Sequence, residues 1–176
     1  MIACSRAVIM SELPQDFRKI ECVIETPLGP SRFASVHIDH IGPETRLPQI
    51  EAARTLLLDG PRECASWGGP FDDGWFEHPA PPMPASVILM GDFNFTWDSA
   101  EYDAFLGRRS SFHGRAIAEG GFCVAWVAAG HGEDEGASIN TPRRARRIDR
   151  CFVTVIRNSA IRIAVTTRKV SRDRRW

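Results

Sequence analysis

Apolar residues recur along the chain in short blocks separated by proline, glycine and charge, and the spacing within each block sorts strands from helices. Between residues 6 and 25 the blocks Ala7-Val8-Ile9-Met10, Ile20 and Val23-Ile24, set around Leu13-Pro14, predict two strands joined by a loop. Thr26-Pro27-Leu28-Gly29-Pro30 predicts a hairpin turn into the next strand. From Arg32 to Ile38 the pattern alternates, with Phe33, Ser35 and His37 on one side and Ala34, Val36 and Ile38 on the other. Both sides hold apolar residues, so this strand is covered on at least part of each face. Ile50, Ala53 and Leu57 then fall on one helical stripe, with Gly60 as the expected C-cap. Pro48 is expected in the first turn of that helix, because a proline in a helix interior costs about 3 kcal/mol.

Further on, Val87-Ile88-Leu89-Met90 is a continuous apolar run ending at Gly91, as a central strand requires. Ser99 and Gly107 bracket a short amphipathic helix carrying Glu101, Tyr102, Phe105 and Leu106. Residues 122–127 read as a strand, followed by an acidic turn from Gly130 to Gly136. Residues 147–154 and 161–166 predict two more strands around a polar turn at Arg157-Asn158-Ser159. Many strands, few helices and short connections point to an α/β architecture of packed mixed sheets flanked by helices.

Composition narrows the class. With 176 residues, 43% apolar and 25% charged, the chain is the size of a single domain spanning 1–176. The Gly/Pro-rich stretch at about 59–85 contains Trp67, Phe71, Trp75 and Phe76, which give a partly ordered flap something to bury. No apolar run approaches the roughly 18 residues of a membrane span, and the start lacks the pattern of a signal peptide. Five widely spaced cysteines without a C-x-x-C pair fit a reducing, cytoplasmic setting rather than a disulfide framework. Net charge is zero, yet residues 141–176 hold 12 basic and two acidic side chains, ending in a basic tail at about 167–176. Such an excess is either a solvated arginine-rich end or an attractor for a phosphorylated substrate or nucleic acid.

The candidate chemistry begins at Gly91-Asp92-Phe93-Asn94. Gly91 ends the apolar strand, and Asp92 and Asn94 lie two apart, on one side of an extended chain. A carboxylate with an amide suits a hard cation and a phosphate oxygen; the alternative is an Asx turn that merely caps the loop. A calcium EF-hand loop is excluded by Trp97, which occupies the position of its glycine. Another apolar strand ends in His37-Ile38-Asp39-His40-Ile41-Gly42, followed by Arg46-x-x-Gln49, and Arg147-Ile148-Asp149 opens a third. His37 is either a reactive group or a hydrogen-bonded core histidine. Arg46 and Gln49 read as a bridge between helix and sheet, and His40 falls on the face opposite His37 in an extended chain. His131, Glu133, Asp134 and Glu135 are either a separate cation site or an exposed acidic turn.

Taken in this order, from about Ser5 to Thr154, these motifs resemble the endonuclease/exonuclease/phosphatase superfamily, with its deoxyribonuclease I-like fold. The resemblance implies a two-sheet α/β sandwich flanked by helices, with the active site where strand ends meet at one edge. It implies Mg²⁺-dependent hydrolysis (Mn²⁺ also serving) of phosphodiesters or phosphomonoesters of nucleic acids, inositol lipids or sphingomyelin. By resemblance, Asp92 orients or deprotonates the attacking water, Asn94 binds the scissile phosphate, and both belong to the metal site. His37 donates to the phosphate or the leaving oxygen, and Asp149 orients a second histidine. Three departures stand against this pattern. The chain opens at Cys4-Ser5-Arg6-Ala7-Val8, without the family's initial Asn strand and metal-binding Glu helix. It ends Val170-Ser171-Arg172-Asp173-Arg174-Arg175-Trp176, without Ser-Asp-His, and Pro48 interrupts the Arg-x-x-Gln helix. An incomplete scaffold is therefore expected, shortened at the N-terminus and degenerate at the C-terminus. It is either a Mg²⁺-dependent phosphoesterase or a catalytically dead remnant that binds anions or nucleic acid.

Overall fold

The computed structural model of the chain describes residues 7–8, 18–27, 29–63, 83–116, 120–141 and 144–155. The expected strand at 161–166, the basic tail at 167–176 and most of the Gly/Pro-rich stretch at 59–85 lie outside the described residues. Within them the chain runs β1 (Ala7–Val8), β2 (Arg18–Thr26), β3 (Gly29–His37), α1 (Pro43–Glu63), β4 (Val87–Asp92), α2 (Ala100–Leu106), β5 (Arg109–Ser110), β6 (Gly114–Arg115), β7 (Phe122–Val124), α3 (Ala125–Ala128), β8 (Ile139–Thr141), β9 (Arg144–Arg146) and β10 (Asp149–Thr154). A six-stranded mixed sheet in the order β1-β2-β3-β4-β10-β7 carries the architecture, with β5-β6 and β8-β9 as small two-stranded additions. Among the described residues, no helix is long and apolar enough to cross a membrane.

The hairpin expected around Thr26 joins β2 to β3, in a register running from Arg18↔His37 to Thr26↔Gly29. α1 then crosses over so that β4 lies parallel to β3, and β10 closes on β4 from the other side, antiparallel. That register divides the sheet into two faces. One carries Ala34, Val36, Val87, Leu89, Phe122, Val124 and Phe152, packed against Ile50, Ala53 and Leu57 of α1 and Tyr102, Phe105 and Leu106 of α2. Phe93 sits at the centre, its ring edge-on to Phe152 with centroids 4.8 Å apart and 6.0 Å from Phe105. The other face presents Ile20, Cys22, Phe33, Ser35, Ile88, Met90 and Cys151, among which Ile20 and Met90 are exposed.

Buried charges on the helix-covered face are tied together, although Arg32 Nη2 and two nitrogens of Arg150 find no partner among the described residues. Glu21 accepts from Lys19 and Arg32, and Arg32 reaches on to donate Nη1–H to the Leu57 carbonyl at 2.7 Å, tying β3 to α1. Burial alone would raise the Glu21 carboxyl, but the two cations hold it below the usual range. This contribution to stability is present above the ordinary carboxylate pKa and is lost as pH falls through the lowered value.

Two expectations are corrected. α1 begins at Pro43, so Pro48 lies inside the helix, and Gly60 and Pro61 also fall within it rather than past its end. Ile50, Ala53 and Leu57 are at most 1% exposed. Burying an Ile or Leu side chain is worth about 1.5–3 kcal/mol each, which outweighs the roughly 3 kcal/mol cost of an interior proline. The strand expected over 122–127 stops at Val124, and residues 125–128 form one helical turn that carries Trp126 out of the sheet. Ser99 does cap α2, accepting from the Tyr102 N–H at 3.2 Å, and the Gly107 N–H closes its far end on Asp103.

Gly91 is required by close approach. A Cβ at this position, where φ is +149°, would lie 1.9 Å from the Val36 carbonyl oxygen of β3. Gly91→Ala is expected to force β3 and β4 apart and cost more than about 3 kcal/mol, read as a fall in the urea midpoint. A wild-type midpoint would contradict this pairing.

Candidate active site

The ends of β3, β4 and β10 meet on one rung. His37 is the register partner of Asp92 across the parallel pair, and Asp149 is its partner across the antiparallel pair. Neighbouring strands lie about 4.8 Å apart, so the three backbones span roughly 10 Å. The rung is locked just beyond its end, where Ile38 N–H donates to the Asp92 carbonyl at 2.9 Å and Phe93 N–H to the Ile148 carbonyl at 3.0 Å. His37 Nε2 stands 4.0 Å from Asp92 Oδ2, and its side chain is 70% exposed, so it is a solvent-facing group and not a buried core histidine. Asp149 is also exposed, and its N–H donates to Ser138 Oγ at 3.0 Å.

Asn94 occupies the left-handed region at φ 52°, a conformation asparagine tolerates better than most residues. Its N–H donates to Asp92 Oδ1 at 2.9 Å, and its amide Nδ2 donates to the Ile38 carbonyl at 2.8 Å. The Asx turn weighed as an alternative is thus formed, and it holds the Asp92 carboxylate with Oδ2 toward His37. Beside the rung is a hollow of about 610 Å³, lined by Met90, Asp92, Trp126, Arg147, Asp149 and Cys151 among others. Asp92 and Asp149 therefore share the hollow, while His37 and Asn94 flank it. Arg46 and Gln49 brace the loop after β3: Arg46 pairs with the buried Glu101 of α2 at 2.6 Å, and Gln49 Oε1 accepts from Asp39 N–H at 2.8 Å. His40 projects into solvent with Asp39 3.7 Å away.

A resident metal finds too few ligands in this set. A hard cation takes six or more oxygens, whereas Asp92 and Asp149 are the two carboxylates on the rung. Among the described residues, no three His, Cys, Asp or Glu side chains are grouped to hold a metal ion. The acidic turn does not supply a second centre, because Glu133 is spent on Arg115 at 3.4 Å and Arg109 at 3.6 Å. What residue-by-residue reading missed here is Trp126, whose indole stacks on His131 at 3.9 Å, and the role of Arg147 beside it. The available signal was an aromatic residue directly after an apolar strand.

A sequence profile of the endonuclease/exonuclease/phosphatase family matches residues 26–165. No curated protein sequence matches the chain. Among solved structures, a humanised D. rerio TDP2 is similar in fold, with a TM-score of 0.54 at 14% identity, covering 90% of this chain and 53% of that one. A Bacteroides thetaiotaomicron mannosyl-6-phosphatase gives a TM-score of 0.48 at 18% identity over 78% of this chain and 43% of that one. The human Nocturnin catalytic domain with a bound sulfate anion gives 0.46 at 14% identity over 80% and 42%. The chain spans about half the length of these structures.

The loops around the hollow are held by a stack on Tyr102. This fully buried ring lies under two guanidinium groups, those of Arg115 and Arg150, each 4.8 Å from its centroid, and its hydroxyl donates to Glu133 at 3.3 Å. Burial pulls Arg150 down to about 10, so it stays charged at neutral pH. Burial, with the Glu133 charge adding to it, pushes the Tyr102 phenol up to about 12 despite both arginines. An acid raised in this way leaves stability intact below its unfolded pKa of about 10 and removes it as pH climbs toward the folded value. Tyr102 is the sole tyrosine of the chain, so its ionisation is read directly from ultraviolet absorbance. The expected midpoint is near 12 in the folded protein, falling to about 10 in denaturant. A folded-state midpoint at the denatured value would show that the stack is not formed.

Proposed function

The chain belongs to the endonuclease/exonuclease/phosphatase family, and from that premise we propose that the rung at the ends of β3, β4 and β10 is a phosphoester-hydrolysing site. The observation that carries this reading is the shared register of His37, Asp92 and Asp149. Hydrolysis of an anionic ester needs a positioned water, a proton for the departing oxygen and donors for the developing charge. Asp92 Oδ2, left free by the Asx turn, is the group that orients the water. His37, 4.0 Å from it and open to solvent, is the proton donor. Asn94 spends one amide hydrogen on Ile38 and offers the other to a phosphate oxygen. Asp149 holds the far side of the hollow. The substrate is a phosphodiester or phosphomonoester, and the basic excess beyond residue 141 favours a polyanion such as nucleic acid. Mg²⁺ or Mn²⁺ would bring Lewis-acid charge neutralisation, but two carboxylates do not form its site, so every role above is assigned to side chains.

That shortage of ligands favours a second reading, in which the same scaffold binds anions without turning them over. Hydrolysis of bis(p-nitrophenyl) phosphate and p-nitrophenyl phosphate, with and without Mg²⁺ or Mn²⁺, separates the two. The first reading expects turnover by the wild-type chain, abolished by Asp92→Ala and lowered about 10²–10⁴-fold by His37→Ala. Phosphate binding without turnover supports the second reading. Turnover that survives Asp92→Ala would overturn the first.

A further inference from the structure

The phosphoester reading gives the phosphate a single amide donor, Asn94, and no cation; the present inference rests on that reading and supplies the cation. The hollow beside Asp92 and Asp149 is bordered by nitrogen donors that have nothing to donate to. Trp126 and Arg147 both line it. Trp126 Nε1 and Arg147 Nε and Nη1 are shielded from solvent and have no hydrogen-bond partner among the described residues. The remaining arginine nitrogen is committed: Nη2 donates to the Glu133 carbonyl at 2.7 Å and more weakly to the Gly132 carbonyl at 3.5 Å. The Arg147 guanidinium lies over the Trp126 ring, 5.3 Å from its centroid, and His131 stacks on the same indole within 17° of parallel. Both donors are therefore fixed in place by contacts that leave their hydrogens unspent.

Shielded donors without acceptors are unfavourable, and more so when one of them is a cation. No described carboxylate forms an ion pair with Arg147, although Asp149 is only two residues away. Burial accordingly works against its charge. An oxyanion is the ligand that suits such donors, since a phosphate oxygen accepts a charge-assisted bond from a guanidinium N–H and a second phosphate oxygen accepts from the indole N–H. The shielding comes from the loop over residues 130–136. A Cβ on Gly136 would fall 2.9 Å from Trp126 Cζ2 and 3.4 Å from Arg147 Nη1, so this glycine sits directly against the pair. Gly130 and Gly136 both have positive φ, at 92° and 77°, and bracket this loop.

We propose that Trp126 and Arg147 form the oxyanion-binding corner of the hollow and take the phosphate group of the ester whose phosphorus faces Asp92. Two cations line the hollow, Arg147 and Arg150, and their charge with the unspent N–H groups selects a tetrahedral oxyanion over a neutral ligand.

Calorimetric titration of the full chain with inorganic phosphate tests this directly. Trp126→Phe keeps an aromatic ring under Arg147 and removes the indole N–H together with the second ring. It is expected to weaken phosphate binding about tenfold, and Arg147→Gln at least as much, with partial recovery in Arg147→Lys. In any hydrolysis assay the loss should fall on KM more than on kcat, the reverse of Asp92→Ala. Wild-type phosphate affinity in both Trp126→Phe and Arg147→Gln, or no phosphate binding by the wild-type chain, would overturn the corner. Phosphate binding that depends on Trp126 and Arg147 in a chain without turnover would uphold the corner while removing the hydrolytic reading. Turnover with unchanged KM in both variants would do the opposite.

Discussion

The close approach of β4 to β3 is the constraint on which the rest depends. Gly91 lies so near the Val36 carbonyl that no side chain fits between them, and the parallel ladder places Asp92 level with His37. A parallel pair needs a crossover, and α1 supplies it by burying Ile50, Ala53 and Leu57 over the sheet while Arg32 reaches up to the Leu57 carbonyl. Once β3 and β4 are set, β10 has one register that buries Phe152 and Ile148, and that register brings Asp149 onto the same rung. The meeting of His37, Asp92 and Asp149 on one rung is a consequence of core packing.

Polar groups around the site divide into those that brace and those that remain available. Arg46 with Glu101, Arg115 with Asp103 and Glu133, and Tyr102 with Glu133 are mutually satisfied and join α1, α2 and the acidic turn. His37, Asp92 Oδ2, Asp149, the indole N–H of Trp126 and two nitrogens of Arg147 are not used up in this way. Buried polar groups in a stable fold are normally paired. Arg32 and Arg54 also keep an unpartnered nitrogen elsewhere, but Trp126, Arg147 and Arg150 bring theirs to the hollow that Asp92 and Asp149 line.

Much of this was legible in the chain. Alternation in residues 32–38 and the run Val87–Met90 identify β3 and β4, and Ser99 with Gly107 delimits α2 almost to the residue. Gly91-Asp92-Phe93-Asn94 and Arg147-Ile148-Asp149 name the strand ends that meet. Local signals failed where tertiary burial overrode them: Pro48 is held inside α1 by the core stripe beneath it, and Trp126 leaves the sheet to stack with His131 and Arg147. The acidic turn read as solvated because its partners, Arg109, Arg115 and Tyr102, lie 18 to 31 residues away. Spacing rules for helices and strands do not reach that far. Arg147 was visible as part of a triplet, but unspent donors are a property of the packed structure alone.

The central claim is that the His37–Asp92–Asp149 rung is where a phosphoester sits. A crystal structure of the protein with a non-hydrolysable methylenephosphonate diester tests it most directly. The account predicts the phosphorus beside Asp92, with its oxygens in reach of His37 and of the Trp126–Arg147 corner. Ligand found only on the arginine-rich segment beyond residue 155, with the rung empty at saturating concentration, would contradict it.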